Sequence, residues 1–183
     1  MTGSDQSLRL PDLPTHAHRP GQGTAPDMAP LHAAKALLPD AEAIDWAALN
    51  QLVPFDYGLR LYEARYFWEA HEVWEPVWLA ASPNSAPRCF LAGVIQLANA
   101  ALKLSLVQPK AARRLIALSC QHVDEARARG ACGPRYDAQT LEALAAAARG
   151  WSTLIEAQER ASDGPLGEAA AVALVDARPR LLV

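Results

Sequence analysis

His71, Glu75 and Trp78 stand at a His-x-x-x-Glu-x-x-Trp spacing inside the run Tyr66-Phe67-Trp68-Glu69-Ala70-His71-Glu72-Val73-Trp74-Glu75-Pro76-Val77-Trp78. An imidazole and a carboxylate four residues apart on a helix can reach each other or converge on one cation. The chemistry open to the pair is therefore divalent-metal binding, proton transfer, or polar recognition of a small ligand. With His71 set at zero and ~100° per residue, Ala64, Phe67, Trp68, Glu75 and Trp78 fall within roughly 60° of it, and Trp74 lies at the edge. The pair is expected inside this aromatic stripe, with Arg65, Glu69 and Glu72 turned to the opposite or flanking side, toward solvent. Charges buried in such a stripe need partners, because an unpaired charge in a low-dielectric site costs several kcal/mol or neutralises. Pro76 removes the donor that would bond the carbonyl of Glu72 and predicts a kink one turn from the pair.

The partners are expected on the next long helix, spanning about 87–107. It is apolar nearly all round (Phe90, Leu91, Val94, Ile95, Ala98, Ala101, Leu102), which marks it as central. One strip, however, holds the small and polar residues Cys89, Ala92, Gly93, Gln96, Asn99, Ala100 and Lys103. That strip is expected to face His71 and Glu75. On a metal reading His71 and Glu75 are the ligands, which is one short of the three protein ligands usual in catalytic zinc sites. Glu72 lies ~100° round the helix; with Trp78, Gln96 and Asn99 it is assigned a supporting or ligand-binding role. Neither the ferritin-type Glu-x-x-His nor His-Glu-x-x-His is present. The alternative is a buried hydrogen-bond network of His71, Glu75, Gln96 and Asn99 that fixes helix register. Trp74 and Trp78 are read as core, Lys103 as a surface lysine, and Cys120 and His122 as having no partner. No Ser/His/Asp or Cys/His nucleophile arrangement and no Gly-rich phosphate loop occurs.

Together with Phe90-Leu91-Ala92-Gly93-Val94-Ile95-Gln96-Leu97-Ala98-Asn99-Ala100, the His71 run resembles the bacterial and archaeal family known as domain of unknown function 309, whose hallmark is His-x-x-x-Glu-x-x-Trp/Tyr. The resemblance covers about residues 54–125 well and 133–156 loosely. It implies a small helical bundle and a motif suspected of binding metal, and it brings no established reaction. Pro76, together with Ala64 or Arg65 near the usual Gly or Asn turn, departs from the family pattern.

The elements that must position these residues are all helical, since no alternating strand pattern appears after residue 40. The expectation is an all-α, compact bundle of about five to six helices with a disordered N-terminal tail. Residues 1–38 are rich in Pro and Gly and read as that flexible tail; His16, His18 and His32 within it form at most a weak metal tract without preorganised geometry. Residues 39–160 form the bundle, and 161–183 an extension with one short helix. Asp40 is the expected cap of a helix through Ile44, Trp46, Leu49 and Leu52 that Pro54 stops. Further helices are expected from near Asp56 to a break before Tyr66, over 67–81 and 87–107, from Pro109 to Arg129 with Gly130 after it, from the Asp137 cap past Gly150 to Glu159, and over 165–177.

A net charge of −3 with scattered arginines and acids argues against nucleic acid and an anionic membrane as partners. Cys89, Cys120 and Cys132 are odd in number and lack a Cys-x-x-Cys pair, which points to a reducing cytoplasm and away from a thiolate zinc site. No leader pattern and no apolar span appears. Two functions remain open: a metal-dependent, hydrolase-like enzyme, or a non-enzymatic helical module in which the same residues stabilise a groove for a peptide, a small ligand or a second copy of the chain.

Overall fold

A computed structural model describes residues 10–39, 44–130, 133, 135–162 and 164–181. These residues form eight helices and no named strand: α1 Ala29–Lys35, α2 Trp46–Leu49, α3 Val53–Glu63, α4 Phe67–Ala80, α5 Ala86–Ser105, α6 Pro109–Ala128, α7 Ala138–Ala161 and α8 Glu168–Asp176. The count exceeds the expected bundle of five to six: a short helix is expected around α2, but α1 lies in the stretch whose composition reads as a tail, and α8 is the one short helix expected in the C-terminal extension. None of the described helices is long and apolar enough to cross a membrane.

The helix boundaries follow from local chemistry. The Ser85 hydroxyl accepts the Arg88 N–H at the start of α5, and Pro87 occupies its first turn, where a missing donor does no harm. Pro54 plays the same part in α3, so it opens that helix rather than stopping the one before, and α3 begins at Val53 instead of near Asp56. Asp45 caps α2 by accepting the Ala48 N–H at 2.8 Å, whereas the expected cap, Asp40, lies outside the described residues. Asp137 caps α7 through Thr140, and the helix runs unbroken past Gly150. After α6, Gly130 adopts a φ of 84°, the left-handed conformation that glycine takes without a Cβ penalty.

Helix α5 lies between α4 and α6, with α8 also against it. At Gly93 α6 comes so close that a Cβ would sit 2.8 Å from the Val123 side-chain Cγ2 and 3.4 Å from the Ser119 carbonyl oxygen. There the buried Ser119 hydroxyl donates to the Gly93 carbonyl at 2.8 Å. This part of the small-residue strip thus serves α6. On the other side, the fully buried Trp74 of α4 lies over Gly58 of α3 and donates its indole N–H to the Phe55 carbonyl at 3.1 Å. A Cβ at position 58 would overlap the indole ring.

Both flanking segments fasten to the α3–α4 pair. The Tyr57 hydroxyl donates to the Asp12 carbonyl at 2.7 Å and Arg60 to the Pro11 carbonyl at 2.8 Å, while Leu31 and Ala34 of α1 are fully buried. Residues 10–39 are therefore docked on the bundle, where composition pointed to a flexible tail. Their anchors are side chains of α3 reaching main-chain carbonyls, which residue content does not register. From the other end, the buried Arg178 donates to the carbonyls of Val175, Tyr62 and Glu63 and stacks over the Tyr62 and Phe67 rings.

Three tyrosine hydroxyls are spent in this way: Tyr57 on Asp12, Tyr62 on the Pro179 carbonyl at 3.0 Å, and Tyr136 on the Leu181 carbonyl at 3.2 Å. Burial pushes the phenols of Tyr57 and Tyr136 up to about 12, and that of Tyr62 further in the same direction. A phenol with a raised folded pKa contributes stability that is complete below its unfolded value of about 10 and is lost as pH climbs through the folded value. These three tyrosines are expected to ionise together with unfolding as pH rises toward 12. Ultraviolet phenolate absorbance recorded beside circular dichroism checks this; independent ionisation of the three near pH 10 in a folded chain would contradict it.

Candidate metal-binding site

Helix α4 runs through Pro76 without interruption, so the proline removes one hydrogen bond and leaves the element intact. Phe67, Ala70, Val73, Trp74 and Val77 are buried and turn toward the core. His71 and Glu72 are half-buried beside that face, and Glu75 is exposed. The ionisable pair therefore borders the apolar face instead of sitting within it. Trp74 is core, as expected, but Trp78 is half-buried with the Arg88 guanidinium 4.3 Å above its ring.

Glu69 reverses expectation. Instead of facing solvent, it is fully buried: Oε1 accepts the His18 N–H at 2.6 Å and Oε2 has no hydrogen-bond partner among the described residues. Burial holds its carboxyl above the ordinary value of 4.5. The cause is tertiary, since the N-terminal segment crosses α4 at this point and His18 packs edge-on against Trp68 at 4.7 Å. His16 and His18 are engaged with the Ala25 and Thr24 carbonyls and do not join the His71 group.

His71, Glu72 and Glu75 each offer a donor atom, and these atoms all lie within 4.8 Å of one another. Glu72, given a supporting role by its angle on the helix wheel, thus supplies the third donor that the motif lacks. Its flexible side chain covers the angular gap that the wheel, drawn for Cα positions, leaves open. Glu72 also accepts an ion pair from Lys35 of α1 at 3.3 Å.

The strip on α5 meets this group as expected at one position. His71 Nδ1 lies 2.8 Å from Asn99 Oδ1. The amide oxygen accepts, so the ring proton resides on Nδ1 and the lone pair on Nε2. Gln96 lines the same cleft, yet among the described residues it bonds to neither His71 nor Glu75, and those two do not bond to each other. The cleft, about 340 Å³, is bounded by His71, Glu75, Trp78, Arg88, Gln96 and His122. His122 has no partner in sequence because only packing of α6 on α5 brings it here; its place one turn beyond Ser119 is the available signal. Cys89 also lines the cleft, and burial raises its thiol above the ordinary 9.0, which keeps it protonated and a poor nucleophile. A larger recess, about 460 Å³, lies beside Arg65, Val107 and Val175. Among the described residues the His71 group is the one cluster of metal-capable side chains, and it is absent from that recess.

No curated protein and no solved structure matches the chain. Residues 55–115, which run from α3 through α4 and α5 into α6 and carry all of His71, Glu72, Glu75 and Asn99, match the family described as a domain of unknown function (DUF309).

Proposed function

We propose that His71, Glu72 and Glu75 hold a divalent metal ion at the mouth of the cleft between α4 and α5. The observation that carries this reading is the convergence of the three donors within 4.8 Å, one of them an imidazole whose Nε2 is left free by the Asn99 contact. One nitrogen and two carboxylates make three protein ligands with room for more on the cleft side, the pattern of catalytic rather than closed structural sites. The set suits zinc, manganese or iron(II) better than thiophilic ions. A bound dication would supply Lewis acidity for hydrolysis of a small substrate entering beside Trp78 and Gln96. Free Cys89 and Cys120 fit a reducing cytoplasm, and the net charge of −3 favours a small ligand over nucleic acid.

A second reading keeps the residues without the metal: a non-enzymatic helical module in which the 2.8 Å His71–Asn99 bond locks α4 to α5. The wider network expected for it is not supported, because Glu75 is exposed and unbonded to His71. Untagged full-length protein, stripped of metal and titrated with zinc(II), manganese(II) or iron(II), separates the two. Near-stoichiometric uptake is expected, with about 2.7 kcal/mol of stabilisation at free metal a hundredfold above Kd. Absence of uptake with an unchanged Tm would leave only the second reading.

A further inference from the structure

Helix α4 carries three acids at intervals of three residues, and the chain uses each differently. Glu69, fully buried, takes the His18 N–H. Glu72 takes the Lys35 ammonium at 3.3 Å, each side chain about a quarter exposed. Glu75 is exposed at the cleft. The segment 10–39 thus lies across the first two acids, and the middle one belongs at once to that segment's hold on α4 and to the cluster of metal donors.

We propose that Lys35 is a tethered cation that competes with the metal for Glu72, so that metal uptake and the docking of the end of α1 oppose each other. The inference rests on the metal reading of His71, Glu72 and Glu75. An ammonium and a dication cannot both neutralise the same carboxylate without repelling each other at short range, where a partly buried pair is poorly screened. Binding the ion therefore releases Lys35 to solvent, a movement open to a long side chain on the last residue of a helix. Coupling of this kind is reciprocal: whatever Lys35 costs the metal, the metal costs the Lys35 contact. Leu31 and Ala34, fully buried, keep the body of α1 in place, which confines the loosening to its final turn. There the Ala36 amide bonds to the His32 carbonyl and the Leu38 amide to that of Lys35. The segment thereby sets the affinity of the site without supplying a ligand to it.

The test is calorimetric titration of the full chain with manganese(II) or zinc(II) chloride at low ionic strength, comparing wild type, Lys35→Met and Lys35→Arg. Lys35→Met, which keeps the aliphatic stem, is expected to tighten Kd about three- to tenfold, as for a coupling of ordinary size, and Lys35→Arg to restore wild-type affinity. In wild type, saturating metal should also speed hydrogen exchange at the Ala36 and Leu38 amides, a measurement independent of how well the variants fold. Equal or weaker binding by a folded Lys35→Met, or exchange unaltered by bound metal, overturns the proposal while sparing the site. Failure of wild type and variant alike to bind either ion overturns both.

Discussion

His71→Ala is expected to weaken metal binding by at least ~100-fold, since even partners outside the ligand shell are typically worth ~10–100-fold. The variant loses the only nitrogen of the donor set and leaves two carboxylates that repel each other and hold a dication as a loose, hydrated neighbour. Asn99→Ala belongs in the same experiment. It removes the acceptor that keeps the ring proton on Nδ1, and the loss should fall within the ~10–100-fold range of such orienting contacts. The fold should survive both changes: His71 and Asn99 are half-buried, water can replace the missing partner, and one net hydrogen bond is worth about 0.5–1.5 kcal/mol. Affinity measured by competition with a chelating dye, beside Tm, reads both quantities. If His71→Ala keeps wild-type affinity, His71 is no ligand; if it loses stability while neither protein binds metal, the helix-locking role is what remains.

The second large effect concerns the scaffold. Alanine normally improves on glycine in a helix interior by ~1 kcal/mol, and Gly150 of α7, where an added methyl would meet nothing within 4 Å, should show that gain when replaced. Gly58→Ala should do the reverse. The new methyl would overlap the indole of Trp74, which is fully buried and pinned by its bond to the Phe55 carbonyl, so neither ring nor backbone can give way cheaply. Overpacking costs about 1–3 kcal/mol and sometimes more, and with no flexible neighbour here the upper end is expected, shifting the urea midpoint down for Gly58→Ala and up for Gly150→Ala. Because α4 carries His71, Glu72 and Glu75, Gly58→Ala should also loosen metal binding without touching a donor. Two midpoints moving in the same direction would refute the account.

Much of this architecture is written in local pattern. Pro87 and Pro109 mark the starts of α5 and α6, Asp137 caps α7, Gly130 follows α6, and the polar strip on α5 does bring Asn99 to His71. These features depend on neighbours within a turn or on one helix face, which spacing encodes. What spacing does not encode depends on distant chain. Glu69 looks solvent-facing on a wheel because the wheel contains only α4, while its burial is imposed by His18, fifty-one residues earlier. For Glu72 the wheel offers an angle where side-chain reach decides. The docking of residues 10–39 is hidden by composition, because carbonyls held by Tyr57 and Arg60 carry no signature in the residues that own them.

The fastening of both flanks to one helix pair has a consequence for modularity. The matched stretch, residues 55–115, contains His71, Glu72 and Glu75 and bonds to chain on both sides of it. Cut free, it would strip Glu69 of His18, Tyr57 of its acceptor, and Tyr62 and Phe67 of the Arg178 guanidinium that roofs them. The recognisable motif is the hub of this protein and the flanks are its rim, so the segments outside the family match are also what completes the hub's surface. Transplanting the motif without its rim would carry over the three candidate donors and leave behind Lys35, the cation that pairs with Glu72.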